Sequence, residues 1–148
     1  MSGGTVATAP APRVGQGALP LDQAILHTVA YADVFDYPLT ADEIHRYLIG
    51  APTSRGTLRG VLGNSHLVPN LLNHSGRYFT LAGRESVIET RRGRATISAD
   101  LWRKAVHYGH IIGDLPFVRM VAVTGALAMD NVADGDVDYL IVTEPERL

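Results

Sequence analysis

Two aspartates near the C-terminus are the residues best suited to chemistry. Asp136 immediately precedes, and Asp138 lies near the start of, the β-branched segment 137–143, which predicts a strand. Alternate side chains of a strand share one face, so both carboxylates would face away from Val137 and Tyr139, with Cα atoms about 7 Å apart. At about 5 Å the carboxylates would repel by roughly 3 kcal/mol at an effective dielectric of 20. A bound Mg²⁺ or Mn²⁺ would remove that repulsion; alternatively, both acids lie at a solvated strand end and bind no metal.

A glycine turn lies upstream of the two aspartates. Residues 118–124 predict a strand, and residues 125–131 are long enough for a turn and a short helix. A glycine at a strand-to-helix turn lets backbone approach a ligand closely, and the amides of a helix N-terminus bind anions. We therefore expect Gly125 to face Asp136 and Asp138, so that phosphate at the turn and metal on the carboxylates would bind a nucleoside triphosphate.

This stretch resembles the signature of the DNA polymerase β-like nucleotidyltransferase superfamily. The resemblance is carried by Thr124-Gly125-Ala126, a nine-residue gap, and Asp136 with Asp138 in an Asp-Val-Asp-Tyr motif. The sequence Phe-Asp-Tyr-Pro-Leu-Thr at 35–40, with the helix predicted after it, is similar to the winged-helix portion of prokaryotic nucleotidyltransferase-domain proteins. On that basis the resemblance covers most of the chain from about residue 21.

The resemblance implies a function and a set of site residues. Asp136 and Asp138 would be the catalytic carboxylates that bind Mg²⁺ (or Mn²⁺), and Thr124, Gly125 and Ala126 would bind the nucleotide's phosphates. The implied reaction is attack by a hydroxyl of an unidentified acceptor on the α-phosphorus of a nucleoside triphosphate, with release of pyrophosphate. The signature often has Ser or Gly where Ala126 stands, so Thr124 is the candidate source of a phosphate-contacting hydroxyl.

The resemblance also implies a third carboxylate from a later strand. Glu144 and Glu146 follow the second predicted strand too closely to be obvious replacements. Two interpretations stay open: the chain is an N-terminal portion of a longer protein with a truncated nucleotidyltransferase domain, or the metal site is incomplete and the chain is inactive alone.

The upstream elements predict a second structural unit. Residues 1–20 are rich in Gly, Pro and small residues and predict a disordered tail. A helix from residue 21 is broken by proline at 38, and Thr40 with Glu43 predicts a capping box for a second helix. A third helix is predicted over 53–64. Apolar stretches at 67–72 and 78–81 flank a predicted hairpin turn at 73–76.

Three short helices followed by a hairpin predict a winged helix-turn-helix over residues 21–82. Residues 83–116 form a predicted connecting helical region, interrupted near Gly93, and residues 117–148 the start of a nucleotidyltransferase domain. The predicted fold class is therefore α+β, with an N-terminal winged helix-turn-helix, a connecting helix and the opening β-α-β of a nucleotidyltransferase domain.

The composition excludes several classes of protein. The 148 residues include 13 Lys and Arg and 15 Asp and Glu, a net charge of −2, which lacks the basic excess typical of bulk phosphate binding. Cysteine is absent, which excludes disulfides, thiolate zinc sites and cysteine nucleophiles. No apolar run approaches the roughly 18 residues that span a bilayer. We expect a cytoplasmic protein with no membrane partner.

Two further groups of residues suggest other functions. In the rival interpretation the chain is a non-catalytic winged-helix module that binds DNA or a protein, and Arg55, Arg59 and Arg77 are the candidate nucleic-acid contacts. A second metal candidate is the group His107, His110 and Asp114 at helical spacing. The arginines at 91, 92 and 94 are most simply a solvated helix face.

Overall fold

The computed structural model describes residues 19–64 and 66–147. Over these ranges the chain is mixed α+β with two small antiparallel sheets, which confirms the predicted fold class at that level. Of the predicted disordered tail (1–20), residues 1–18 lie outside the described residues. None of the described helices combines the length and the apolar character needed to cross a membrane.

The first part of the chain combines short helices with a three-stranded sheet. The helices are α1 (Leu21–Asp33), α2 (Ala41–Tyr47), α3 (Arg55–Asn64) and the short α4 (Leu67–Asn70). The strands are β1 (Leu39–Thr40), β2 (Leu72–Ser75) and β3 (Tyr78–Leu81). Strand β3 lies between the other two and is antiparallel to both. Helices α1, α2 and α3 correspond to the three helices predicted from the sequence.

The predicted capping box starts α2. The Glu43 backbone N–H donates to Thr40 Oγ1 at 3.3 Å, and the Thr40 N–H donates to Glu43 Oε2 at 2.8 Å. Two amides that would otherwise lack partners in the first turn are therefore satisfied reciprocally. The helix ends at Tyr47, and Gly50 follows with a positive φ of 80°.

The hairpin differs from the prediction in its boundaries. Residues 73–75 belong to β2, so the chain reverses at Gly76, whose φ is 61°, rather than over 73–76. Residues 67–70 form α4 instead of the start of a strand. The physical reason is that Leu67 and Leu72 are both buried, whereas residues five apart in a strand would point to opposite faces.

These elements enclose one hydrophobic core. Each helix presents one apolar stripe, and the inward face of the sheet covers it. The fully buried large side chains of this core are Ile25 and Val29 from α1, Leu39 from β1, Ile44 from α2, Leu58 from α3 and Leu72 from β2.

Helix α5 (Val87–Gly113) connects this unit to the rest of the chain. It is continuous through Gly93, so the predicted interruption there is wrong. Gly93 is exposed and nothing lies within 4 Å of the position where a Cβ would be. The glycine therefore costs only about 1 kcal/mol of helix propensity, and burial of Val87, Ile88 and Ala105 on either side holds the helix together.

Arginines on α5 attach it to the first unit. Arg91 pairs with Glu43 at 2.6 Å, and its guanidinium lies 4.1 Å from the centroid of the Tyr37 ring. Arg94 Nη1 donates to the Phe35 carbonyl at 2.9 Å. The prediction of a solvated face is therefore wrong for these two arginines, because long-range partners bury them. The side chain of Arg92 is 59% exposed and matches that prediction.

The ion pair shifts the ionisation of its neighbours. Burial alone would raise the pKa of the Glu43 carboxyl, but hydrogen bonds and charge from Arg91 and the Thr40 amide outweigh burial and lower that pKa. Burial raises the pKa of the Tyr37 hydroxyl to about 12, although Arg91 acts in the opposite direction. Glu43 is thus a half-buried carboxylate, and Tyr37 stays protonated beside it.

The last elements are β4 (Val118–Thr124), the one-turn helix α6 (Gly125–Ala128) and β5 (Asp138–Thr143). Strands β4 and β5 form a two-stranded antiparallel sheet. Helix α5 packs against the sheet: the Tyr139 hydroxyl donates to the Ala105 carbonyl at 2.7 Å. A small hydrophobic cluster of Ala105, Leu127 and Val132 lies between them.

Candidate active site

The glycine turn and the second aspartate meet across the two-stranded sheet. The register places Thr124 opposite Asp138, so the residue after Thr124 lies beside the Asp138 side chain. Gly125 has a φ of 64°, a conformation that L-residues avoid. A Cβ at this position would lie 3.1 Å from Asp138 Cγ and would overlap Oδ2. Backbone conformation and close approach therefore both require glycine at 125.

Asp136 precedes β5 rather than lying in it. The predicted strand began at residue 137, but pairing starts at Asp138. The reason is that the residues that would pair with 136 and 137 belong to α6, where the chain has left the sheet. The burial still alternates: Val137 packs on the hydrophobic cluster, whereas Asp136 and Asp138 are exposed. Both carboxylates are accessible to a ligand from solvent.

The other two residues predicted to bind phosphate flank this contact. Thr124 is extended and half-buried, and its side chain makes no capping hydrogen bond to α6. Ala126 is exposed, and its carbonyl accepts from the Asn131 amide at 2.9 Å. Because α6 has only one turn, its dipole is small. The N-terminus of α6 therefore contributes little affinity for phosphate.

Two acidic residues near the glycine turn carry oxygen ligands of the kind that a hard metal ion prefers. Asp136 and Asp138 offer carboxylate oxygens, and Mg²⁺ is commonly bound by one or two carboxylates with substrate phosphates and water completing its shell. Across residues 19–64 and 66–147, no cluster of three or more His, Cys, Asp or Glu could hold a metal. His107, His110 and Asp114 therefore do not form such a cluster in the described part of the chain.

Glu144 cannot provide a third carboxylate here. It follows the far end of β5, six residues from Asp138, which corresponds to about 20 Å along a strand. Its Oε1 is 2.8 Å from Arg119 Nη2, and its backbone N–H donates to the Phe117 carbonyl. Glu144 therefore closes the opposite end of the sheet.

An apolar cavity of about 680 Å³ adjoins the glycine turn. Gly125 and Ala126 form one side of it, together with Met129. The opposite side consists of aromatic residues of the N-terminal unit: Tyr31, Phe35, Tyr37 and Tyr47. Sequence reasoning missed this cavity. Tyr31 is not among the buried residues of α1 and is 63% exposed, a property that the sequence pattern does not show.

The predicted nucleic-acid contacts divide between two places. Arg59 and Arg77 line a second cavity of about 500 Å³ beside His74. Arg59 is paired there with Asp42 at 3.2 Å, and Arg77 Nη2 donates to the Tyr78 hydroxyl at 2.8 Å. Arg55 is exposed at the start of α3 and is not among the described residues that line this cavity.

Comparison of the chain with protein-family models, with curated proteins and with solved structures finds no match. The function must therefore be argued from the geometry of the site itself.

Proposed function

We propose that the chain is a metal-dependent nucleotidyltransferase, which transfers a nucleoside monophosphate from a nucleoside triphosphate to a hydroxyl acceptor. The observation that carries this proposal is the contact between Gly125 and the Asp138 carboxylate. Glycine adopts this left-handed conformation without strain and leaves space for the Asp138 carboxylate that any other side chain would overlap, and a close backbone approach of this kind is typical of positions that serve a ligand. Its location agrees with the phosphate turn and metal site that the sequence motif predicts.

The chain's own residues have defined roles in this proposal. Asp136 and Asp138 would hold Mg²⁺ or Mn²⁺ from the solvent side of the sheet. When bound, that ion would neutralise charge on the triphosphate and orient the attacking hydroxyl. Gly125 lets the Asp138 carboxylate approach the backbone of the turn, and the Thr124 hydroxyl, free of a capping role in α6, would be available to phosphate oxygens.

The fold supports a winged helix-turn-helix as the N-terminal part of this enzyme. Three helices precede a hairpin whose strands, with β1, give the sheet order β1-β3-β2. Helix α5 would be the connecting helix, and β4-α6-β5 the opening β-α-β of a nucleotidyltransferase domain. In this arrangement Arg94 bonds both Phe35 and Asn131, so the winged unit helps to position the turn after α6.

Binding of Mn²⁺ and nucleotide tests the proposal. The wild-type chain should bind ATP in the presence of Mn²⁺, and Asp136→Asn and Asp138→Asn should each weaken that binding at least tenfold. Asp134→Asn is the matched control, since Asp134 is an exposed acid in the same segment and should bind like the wild type. Equal binding by all three variants would contradict the metal site. Release of pyrophosphate with a candidate acceptor would then test transfer.

A rival function has one observation in its favour. Arg59 and Arg77 come together at one cavity between α3 and the hairpin, as expected of a module that binds nucleic-acid phosphates. The pairing of Arg59 with Asp42 reduces the charge offered to a phosphate. If this function is the correct one, Arg55→Ala with Arg59→Ala should abolish duplex DNA binding, and Asp136→Asn should leave it unchanged.

A further inference from the structure

We propose that the apolar cavity beside Gly125 binds the purine ring of the nucleotide, an inference that rests on the proposed function and extends it to the donor substrate. The cavity shares Gly125 and Ala126 with the predicted phosphate site. A nucleotide whose phosphates lie at that turn would therefore have its base within reach of this cavity. Its volume of about 680 Å³ is in the range of pockets that hold small organic ligands.

The chemistry of the cavity wall favours a flat, aromatic ligand. Tyr31, Phe35 and Tyr47 are all at least 39% exposed, so their rings are accessible. The rings of Tyr31 and Phe35 meet edge to face at 5.7 Å. Among its described lining residues there is no Asp, Glu, Lys or Arg. Aromatic side chains of this kind stack on nucleobases, because every base has a π-face.

The wall also indicates how selective the pocket is. Asn131 carries the amide best suited to read the edge of a base, but its Nδ2 donates to the Phe35 carbonyl and its Oδ1 accepts from Arg94, both at 3.1 Å. The described lining thus recognises the ring's face more than its edge. We expect ATP and GTP to bind with similar affinity, and pyrimidine nucleotides more weakly because their rings offer less area.

The test separates the base from the phosphates by using three probes on the full chain. Binding of adenosine alone tests the cavity, and binding of inorganic tripolyphosphate with Mn²⁺ tests the metal and phosphate site. Binding of ATP with Mn²⁺ tests both. Adenosine should bind without Mn²⁺ and should bind Asp138→Asn as it binds the wild type. Tyr47→Ala should weaken the binding of adenosine and of ATP about tenfold or more and leave the binding of tripolyphosphate unchanged.

Two further variants distinguish loss of the pocket from loss of the fold. Tyr108→Ala removes a tyrosine that is 55% exposed on α5, away from the cavity, and should bind all three probes normally. Ile49→Trp enlarges a half-exposed lining residue and should block adenosine while keeping every aromatic ring of the wall.

The outcomes distinguish this inference from the proposed function. If tripolyphosphate binds with Mn²⁺ but adenosine does not, or if Tyr47→Ala behaves like Tyr108→Ala, the base pocket is wrong and the proposed function stands. If adenosine binds but tripolyphosphate does not, the pocket stands and the proposed function fails. Binding of indole without binding of adenosine would overturn the purine assignment.

Discussion

The N-terminal unit of residues 19–82 and the β4–β5 sheet bury their apolar side chains to very different extents. The first encloses a core to which all of its main helices and β1 to β3 contribute. The second has one small cluster against α5, and Leu140, Ile141 and Val142 on β5 are each more than 40% exposed. Since these three alternate in direction, both faces of the sheet show apolar surface. The candidate chemistry therefore lies on the less stabilised of the two regions, beside the more stable one.

That contrast gives the arginines of α5 a structural role. They join a well-packed unit to a sheet that would be marginal alone, because isolated two-stranded sheets are barely stable in water. Arg91 secures α5 to Glu43 on α2, and Arg94 secures the turn after α6 through Asn131. The position of the site relative to the aromatic cavity depends on these bonds.

Removing Arg91 should have the largest effect on stability. Arg91→Ala leaves Glu43 as a half-buried carboxylate without its cation, which should lower the free energy of unfolding by about 3 kcal/mol. Arg92→Ala is the control: its pair with Glu89 is exposed, and its loss should cost less than about 0.5 kcal/mol. Urea denaturation measures both. Similar costs for the two variants would show that Arg91 does not join the regions.

Hydrogen exchange should resolve the two regions directly. Amides of β3, which is paired on both sides, should exchange roughly 100-fold more slowly than those of β5, because local opening needs less free energy where little apolar surface is buried. Equal protection in the two strands would contradict the comparison and indicate one cooperative unit.

A pair of glycines offers a matched test, one in each region. Gly76 and Gly125 have almost the same φ, 61° and 64°, but a Cβ would meet nothing within 4 Å at 76 and the Asp138 carboxylate at 125. Gly76→Ala should cost about 1 kcal/mol for its backbone conformation alone. Gly125→Ala should cost about 1 kcal/mol more and should abolish Mn²⁺-dependent ATP binding. If both variants lose the same stability in thermal denaturation, the Asp138 carboxylate does not lie where the new Cβ at 125 would be.

The smallest effect concerns pH. The pKa of Glu43 is lower in the folded chain than its ordinary value of 4.5, so its ionised form contributes stability that is fully present above pH 4.5. This contribution is lost as the pH falls through the folded pKa. Glu43→Gln should therefore be less stable than the wild type at pH 7 and lose less stability on acidification. Parallel stability curves against pH for both proteins would rule out this linkage.

The features that were predictable from the sequence are those set by local rules. The capping box of Thr40 and Glu43 needs residues three apart, and the strands before and after the glycine turn follow from β-branched runs. The meeting of Gly125 with Asp138 depends in addition on the antiparallel pairing of these strands, which brings their adjacent ends together and which the sequence pattern alone did not predict.

The features that the sequence did not reveal depend on distant partners. Burial of Arg91 requires Glu43, 48 residues away in the chain, and no local pattern signals that contact. The two-residue strand β1 is too short for any periodicity. The aromatic cavity combines side chains of α1 and α2 with the turn at Gly125, so it exists only once the two regions are packed together.

Titration of ATP into the chain with and without Mn²⁺, compared between the wild type, Asp138→Asn and Asp134→Asn, tests the central claim most directly. We predict Mn²⁺-dependent binding that Asp138→Asn loses and Asp134→Asn keeps. Binding that is absent, independent of Mn²⁺, or equal in both variants would contradict a nucleotidyltransferase site at the glycine turn.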